Sequence, residues 1–208
     1  MIEHMMNDFR DVERSLCLVK SDAGLRVLDP SRISGANAVL CFGYVDHTAG
    51  LTFEALTLAL CVGSDYTVLP EQDKVALKLR AGSVQPTDVV HIQNDALMLR
   101  YSDRIQNLDF YYEDRAVVAC RAFCELDSYR HPQFPDDIRV TFMGSDHRAE
   151  QMWVRTEAFV REDDGLLIFG GVLLNEPVHN PTLHCGDNVI FGTTLTSYGR
   201  ICLGNVPG

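Results

Sequence analysis

The side chains of this 208-residue chain that could do chemistry fall into a few small groups. Cys120, Cys124 and His131 form the first. On a helix, positions 120 and 124 share a face, which is how many zinc sites begin. Two thiols at that spacing serve equally well as small apolar core residues, and no fourth ligand follows at zinc-like spacing. His179, His184 and Cys185 form the second group. An imidazolium beside a thiol lowers the thiol pKa and makes a nucleophile. Adjacent residues of an extended chain point to opposite faces, however, so His184 and Cys185 would not naturally meet. Asp136-Asp137 and Glu162-Asp163-Asp164 are carboxylate runs of the kind that serve proton transfer or magnesium binding; beside turns, such runs more commonly cap or solvate. Trp153, the only tryptophan, has Arg155 two residues on, a pair that can stack a ligand or anchor a partner, although a lone strand tryptophan more often fills a core. HExxH, Walker, G-x-G-x-x-G, G-x-S-x-G and paired CxxC motifs do not occur, which lowers the expectation of an enzyme without excluding one.

The element that must position most of these groups runs from Gln151 to Phe191. Met152–Val160 alternates with strand parity, placing Trp153, Arg155 and Glu157 opposite Met152, Val154 and Thr156. Glu162-Asp163-Asp164-Gly165 supplies the positive-φ geometry of a hairpin. Leu166–Leu174 is a long apolar strand broken by Gly170-Gly171, a pair that marks a bulge or bend and helps curl a small sheet into a barrel. Asn175-Glu176-Pro177 and Asn180-Pro181 end it. Cys185-Gly186-Asp187-Asn188 is a further turn, and Val189–Phe191 begins another strand.

Within this stretch Met152, Trp153, Val154, Gly171, Leu173, Asn175, Pro177, Gly186, Asp187, Val189 and Phe191 resemble an uncharacterised bacterial family, domain of unknown function 2314 (YegJ-like). The resemblance covers roughly Asp137 to Phe191 and departs from the family pattern after Phe191. It implies a small β-rich fold and no activity. The genomic setting common among such proteins implies an immunity-type role.

The rest of the chain is read by periodicity. Asn37–Val45, Thr52–Cys61, Tyr66–Leu69, Lys74–Arg80, Val89–Ile92, Ala96–Tyr101 and Ile138–Met143 are expected strands, separated by turn residues. Asn7–Lys20 suits either a short helix or a lead into a strand at Leu16–Val19. Asp22-Ala23-Gly24 and Asp29-Pro30-Ser31 are turns around Leu25–Leu28. Asp109–Tyr129 is the expected helix: acids sit in its first turn, Val117, Cys120, Phe123 and Cys124 follow helical spacing, and His131-Pro132 with Phe134-Pro135 stop it.

Composition sets the outer limits. An apolar content of 46% predicts a packed core. No apolar run approaches the roughly 20 residues of a membrane span, and the acidic start M-I-E-H-M-M-N-D-F-R-D has no apolar signal core. Seven scattered cysteines predict reduced thiols in a cytoplasmic protein. The net charge of −11 divides into −4 over residues 1–105 and −7 over 106–208. With no basic run, nucleic acid and anionic membranes are poor partners, whereas a basic protein is complementary.

The expected fold is α+β, mainly β. It has an N-terminal antiparallel β unit over 1–105, one linking helix within 106–131, and a small SH3-like β barrel or half-barrel over 132–208. The expected function is that of a bacterial, non-enzymatic, acidic protein-binding module of immunity type, which neutralises a basic partner and needs no cofactor or metal. Its expected contact residues are Trp153, Arg155, Glu162, Asp163, Asp164, Asn175, Glu176 and Asp187. One alternative is a small hydrolase or thiol/metal enzyme working through His179, His184 and Cys185; another is a homodimeric scaffold that pairs exposed sheet edges.

Overall fold

A computed structural model describes residues 2–20, 35–70, 77–144 and 147–205. The chain is 50% strand and 20% helix, an α+β fold dominated by β. It divides into two compact units, Met1–Glu113 and Asp114–Gly208. The expected turns and short segment over 22–31 and the start of the expected strand Lys74–Arg80 lie outside the described residues.

The first unit is a half-barrel antiparallel sheet. Its strands are β1 (Ile2–Met5), β2 (Ser15–Val19), β3 (Ala38–Asp46), β4 (Gly50–Val62), β5 (Asp65–Val68), β6 (Lys78–Arg80) and β7 (Val89–Ile92). They are ordered β1-β7-β2-β3-β4-β5, with β6 also on β4. Alternate residues feed a core of Cys17, Val19, Val39, Cys41, Val45, Leu51, Phe53 and Leu79, closed by Phe9 and Val12 from a 3-10 turn at Phe9–Asp11. The other face is also buried, since every residue from Ala38 to Val45 is inaccessible. The segment Asn7–Lys20 therefore resolves toward the strand reading, with only a short turn before it.

Ala96–Tyr101, expected as a strand, is instead the helix α1 (Asp95–Arg100). The signals for it are local: the Asn94 side chain accepts from the Leu97 amide, Asp95 sits in the first turn and Arg100 in the last. Leu97, Met98 and Leu99 all favour helix. A second short helix, α2 (Ser102–Gln106), follows. Its Arg104 guanidinium donates to the carbonyls of Ala55 and Leu56, where β4 carries one residue more than β3.

The single helix expected over Asp109–Tyr129 is three short pieces: a 3-10 turn at Asp109–Tyr112, α3 (Arg115–Cys120) and a 3-10 turn at Cys124–Tyr129. The seam between the units falls between its first two pieces, after Glu113 rather than after residue 105. Asp114 breaks the helix because it acts as a cap. Its carboxylate accepts from the amides of Ala116 and Val117, and its backbone must leave helical geometry to do so (ψ 94). Phe123 also leaves helical geometry (ψ 98), here without a side-chain cap.

In the second unit, β9 (Phe134–Met143), β10 (Ala149–Asp163), β11 (Leu166–Leu173), β12 (Asn188–Thr196) and β13 (Gly199–Gly204) close into a five-stranded barrel, with β8 (Arg130–His131) beside β9. Closure comes from β9 pairing both β10 and β13. The inward parity places Ile138, Val140, Phe142, Met152, Val154, Phe169, Leu173, Val189, Phe191 and Cys202 in one core, so Trp153, Arg155 and Glu157 take the other parity, as the alternation requires. The β10–β11 hairpin turns on Asp164 (φ 48) and Gly165 (φ 77), the two consecutive positive-φ residues of a type I′ turn. The register jumps twice along this pair, once opposite Gly170-Gly171 and once opposite Ile168-Phe169, leaving Glu157 and Val160 as extra residues on β10. A Cβ at position 171 would collide with the Arg155 carbonyl, so that bend requires glycine.

Candidate functional site

The eight contact residues expected from sequence do not form one site. Trp153, Arg155, Asn175, Glu176 and Asp187 lie on β10 or on the loop 174–187 between β11 and β12, whereas Glu162, Asp163 and Asp164 cap the far end of the β10–β11 hairpin. The strand between Trp153 and Asp163 runs about 33 Å at its ordinary rise.

The polar groups of the loop cluster are committed to the fold itself. Asn175 Oδ1 accepts from the Trp153 amide (2.8 Å), while the Leu174 amide donates to the Trp153 carbonyl (2.9 Å). Glu176 accepts from the Cys185 amide (2.9 Å) and contacts His184 Nδ1 (2.8 Å). Asp187 accepts from the His184 amide (2.7 Å). Glu150, which the sequence did not single out, takes the amides of Val178 and His179. Four side chains thus replace the ladder bonds that Pro177 and Pro181 preclude. Trp153 is half-buried on the outer face, edge-on to His131 at 5.0 Å, and His131 in turn packs on Phe134.

Arg155 is paired with its cross-strand neighbour Asp137 through two hydrogen bonds (2.8 and 3.2 Å). Asp136 faces away from it and is held by Arg121 (2.9 and 2.8 Å), with both side chains under 5% exposed. Arg130 binds Asp127 and the carbonyls of Cys120, Phe123 and Pro135. The adjacent carboxylates are therefore two separate ion pairs rather than one acid–base site. Pro135 fits in β9 because it lies where the pairing with β8 is interrupted.

The cysteine groups do not assemble either. Cys120 is buried at the end of α3 and Cys124 is exposed beyond the break. Burial, then Asp136, push the Cys120 thiol up to about 11, away from the thiolate a metal or a nucleophile needs. Among the described residues, no group of three or more His, Cys, Asp or Glu side chains is placed to hold a metal ion, and no hydrogen bond joins the Cys185 thiol to His184. The Cys185 amide, not its sulfur, shares Glu176 with the imidazole.

Glu162, Asp163 and Asp164 differ from every other acid in the expected set. They are exposed, and among the described residues no side chain or amide is bonded to their carboxylates. Beside them, Phe159 (37% exposed) packs against Phe123 and Phe169, and Val160 (46% exposed) lies at the bulge. The hairpin end thus combines uncompensated negative charge with apolar surface. No helix of the described residues is long and apolar enough to cross a membrane. Compared with known protein families, curated proteins and solved structures, the chain has no match.

Proposed function

We propose that the chain is a non-enzymatic protein-binding module that engages a basic partner through the β10–β11 hairpin end. The observation that supports this reading is the contrast just described: Glu162, Asp163 and Asp164 lack intrachain partners, while Asp136, Asp137, Glu150, Asn175, Glu176 and Asp187 are used up in holding the barrel together. Carboxylates of that kind accelerate encounter with a cationic surface, and Phe159 and Val160 supply apolar area at the same place. An immunity-type role, in which an acidic surface covers a basic site on a partner, is the specific form this reading takes. An SH3-like use of the barrel's own loop face is less favoured, because its polar groups are already bonded.

The test is affinity capture by the intact protein in three forms: wild type, the reversal Glu162→Lys/Asp163→Lys/Asp164→Lys, and an equal reversal at the exposed Asp65, Asp103 and Glu113 of the first unit. The reading expects one basic protein, retained at stoichiometric level by the wild type and the second variant and released by the first. Equal retention by all three would refute the site.

A further inference from the structure

Strand β5 ends the first sheet, and among the described residues it pairs with β4 alone. In an antiparallel ladder, successive residues turn their backbone groups toward the partner strand and away from it by turns. The Leu69 amide donates to the Leu58 carbonyl at 2.9 Å, so Leu69, Thr67 and Asp65 face β4. The amides and carbonyls of Tyr66 and Val68 therefore point outward, and no described residue bonds them. An edge of this kind is a template for a further strand.

The side chains alternate as well. Asp65 and Thr67 are exposed, whereas Tyr66 and Val68 are half-buried. The Tyr66 hydroxyl accepts from Asn94 Nδ2 at 2.9 Å, and Asn94 is the cap of α1. Between the edge and the helix lies an open cleft of about 530 Å³, lined among the described residues by Asp65, Tyr66, Thr67, Val68, Asn94 and Leu97. Binding sites commonly measure roughly 300–1,000 Å³, and exposed sheet edges are where extended peptides add as an extra strand.

The lining selects the occupant. On the side of α1 an added strand meets Tyr66, Val68 and Leu97, so its inner side chains are apolar. On the other side it meets Thr67 and Asp65, the one charged residue among those lining the cleft. Asp95 stands beside Asn94 in the first turn of α1. Basic residues are therefore favoured at the outer positions. A second copy of this chain brings the same acids and a further net charge of −11, which makes it the poorer occupant.

We propose that the first unit binds an extended segment of another protein, alternating apolar and basic residues, as an added strand on the outer edge of β5 beside α1. This groove uses none of the hairpin residues and does not depend on the hairpin reading.

The probe is the capped peptide KVKIKVK, titrated into the isotope-labelled intact protein and followed by NMR. Saturable shifts should centre on Tyr66, Val68, Asn94 and Leu97. Val68→Pro removes an outward amide without costing a bond to β4, and should weaken binding about tenfold or more. Asp65→Lys changes only an exposed side chain, so it should weaken binding without moving the unfolding midpoint, and it stands in if the proline variant fails to fold. Methylating the peptide's backbone nitrogens at every second residue should abolish binding for one parity and spare it for the other, because only one set of amides faces β5. The reversal Glu162→Lys/Asp163→Lys/Asp164→Lys should bind the peptide as the wild type does. The proposal is overturned if no saturable shifts appear, if they centre elsewhere, if the hairpin reversal removes them, if Asp65→Lys binds as the wild type does, or if both methylated peptides bind alike. Shifts at β5 on raising the protein concentration without peptide would also overturn it, since they mark a second copy as the occupant.

Discussion

Asp136 and Asp137 show how little a residue's neighbours in sequence say about its role. Side by side in the chain, they read as a carboxylate pair. Strand alternation turns them apart, and each meets an arginine from a different element. Removing one member of a fully buried pair strands the other charge, so Asp136→Ala should destabilise the protein by about 3–5 kcal/mol. Asp137→Ala, at the partly exposed pair, should cost roughly 1.5–3 kcal/mol. Denaturant unfolding of both variants checks the order, and a larger loss at Asp137 would contradict it. The Glu176–His184 contact makes a second prediction. The Cys185 amide and then His184 hold the Glu176 carboxyl below its ordinary 4.5, and Glu176 holds the imidazole above its ordinary 6.5. Glu176's contribution is present above its ordinary value and lost as pH falls through the lowered one. His184's contribution is complete below 6.5 and lost as pH rises through the raised value. The contact is thus strongest in mildly acidic solution. Both groups are exposed, so the effect concerns loop order rather than global stability. In Glu176→Gln the His184 midpoint, followed by its ring protons in NMR, should fall toward 6.5; an unmoved midpoint would show that the contact does not form in solution.

At the scale of elements, the parts that were legible in the sequence are those written in a local code. The alternation of β10, the Asp164-Gly165 turn and the apolar run of β11 each follow from a few consecutive residues, and the structure places them as read. The breaks at Asp114 and Phe123 were not legible as breaks, because helical spacing of Val117, Cys120 and Cys124 continues across them. The cap at Asp114 was nonetheless visible in principle, as was Asn94 ahead of α1, where an apolar run outweighed the capping signal. Asp114→Ala removes the side chain that satisfies two amides and should lower stability by about 1 kcal/mol. Thermal unfolding measures it, and an unchanged midpoint would mean that packing alone starts α3. The candidate site was legible only in its residue types. Which acids stay uncompensated depends on register and on loop anchors such as Glu150, and these form only when β9, β10 and the loop 174–187 come together.

Across the whole molecule the charge is spread evenly over the two units. Residues 1–113 carry 16 acids and 10 bases (−6), and residues 114–208 carry 13 acids and 8 bases (−5). All eight bases of the second unit are arginines, and Arg121, Arg130 and Arg155 are bound to carboxylates of their own unit. Net charge therefore does not distinguish the units; within the barrel, local compensation leaves Glu162, Asp163 and Asp164 at the hairpin end as exposed acids without a bonded partner, and the proposed docking site rests on them. Hydrogen exchange of the intact protein, alone and with the captured basic partner, tests that claim most directly. The account predicts slowed exchange at Phe159–Leu166, with the loop 174–187 unchanged. Protection centred on the loop, with the hairpin end exchanging as in the free protein, would contradict it.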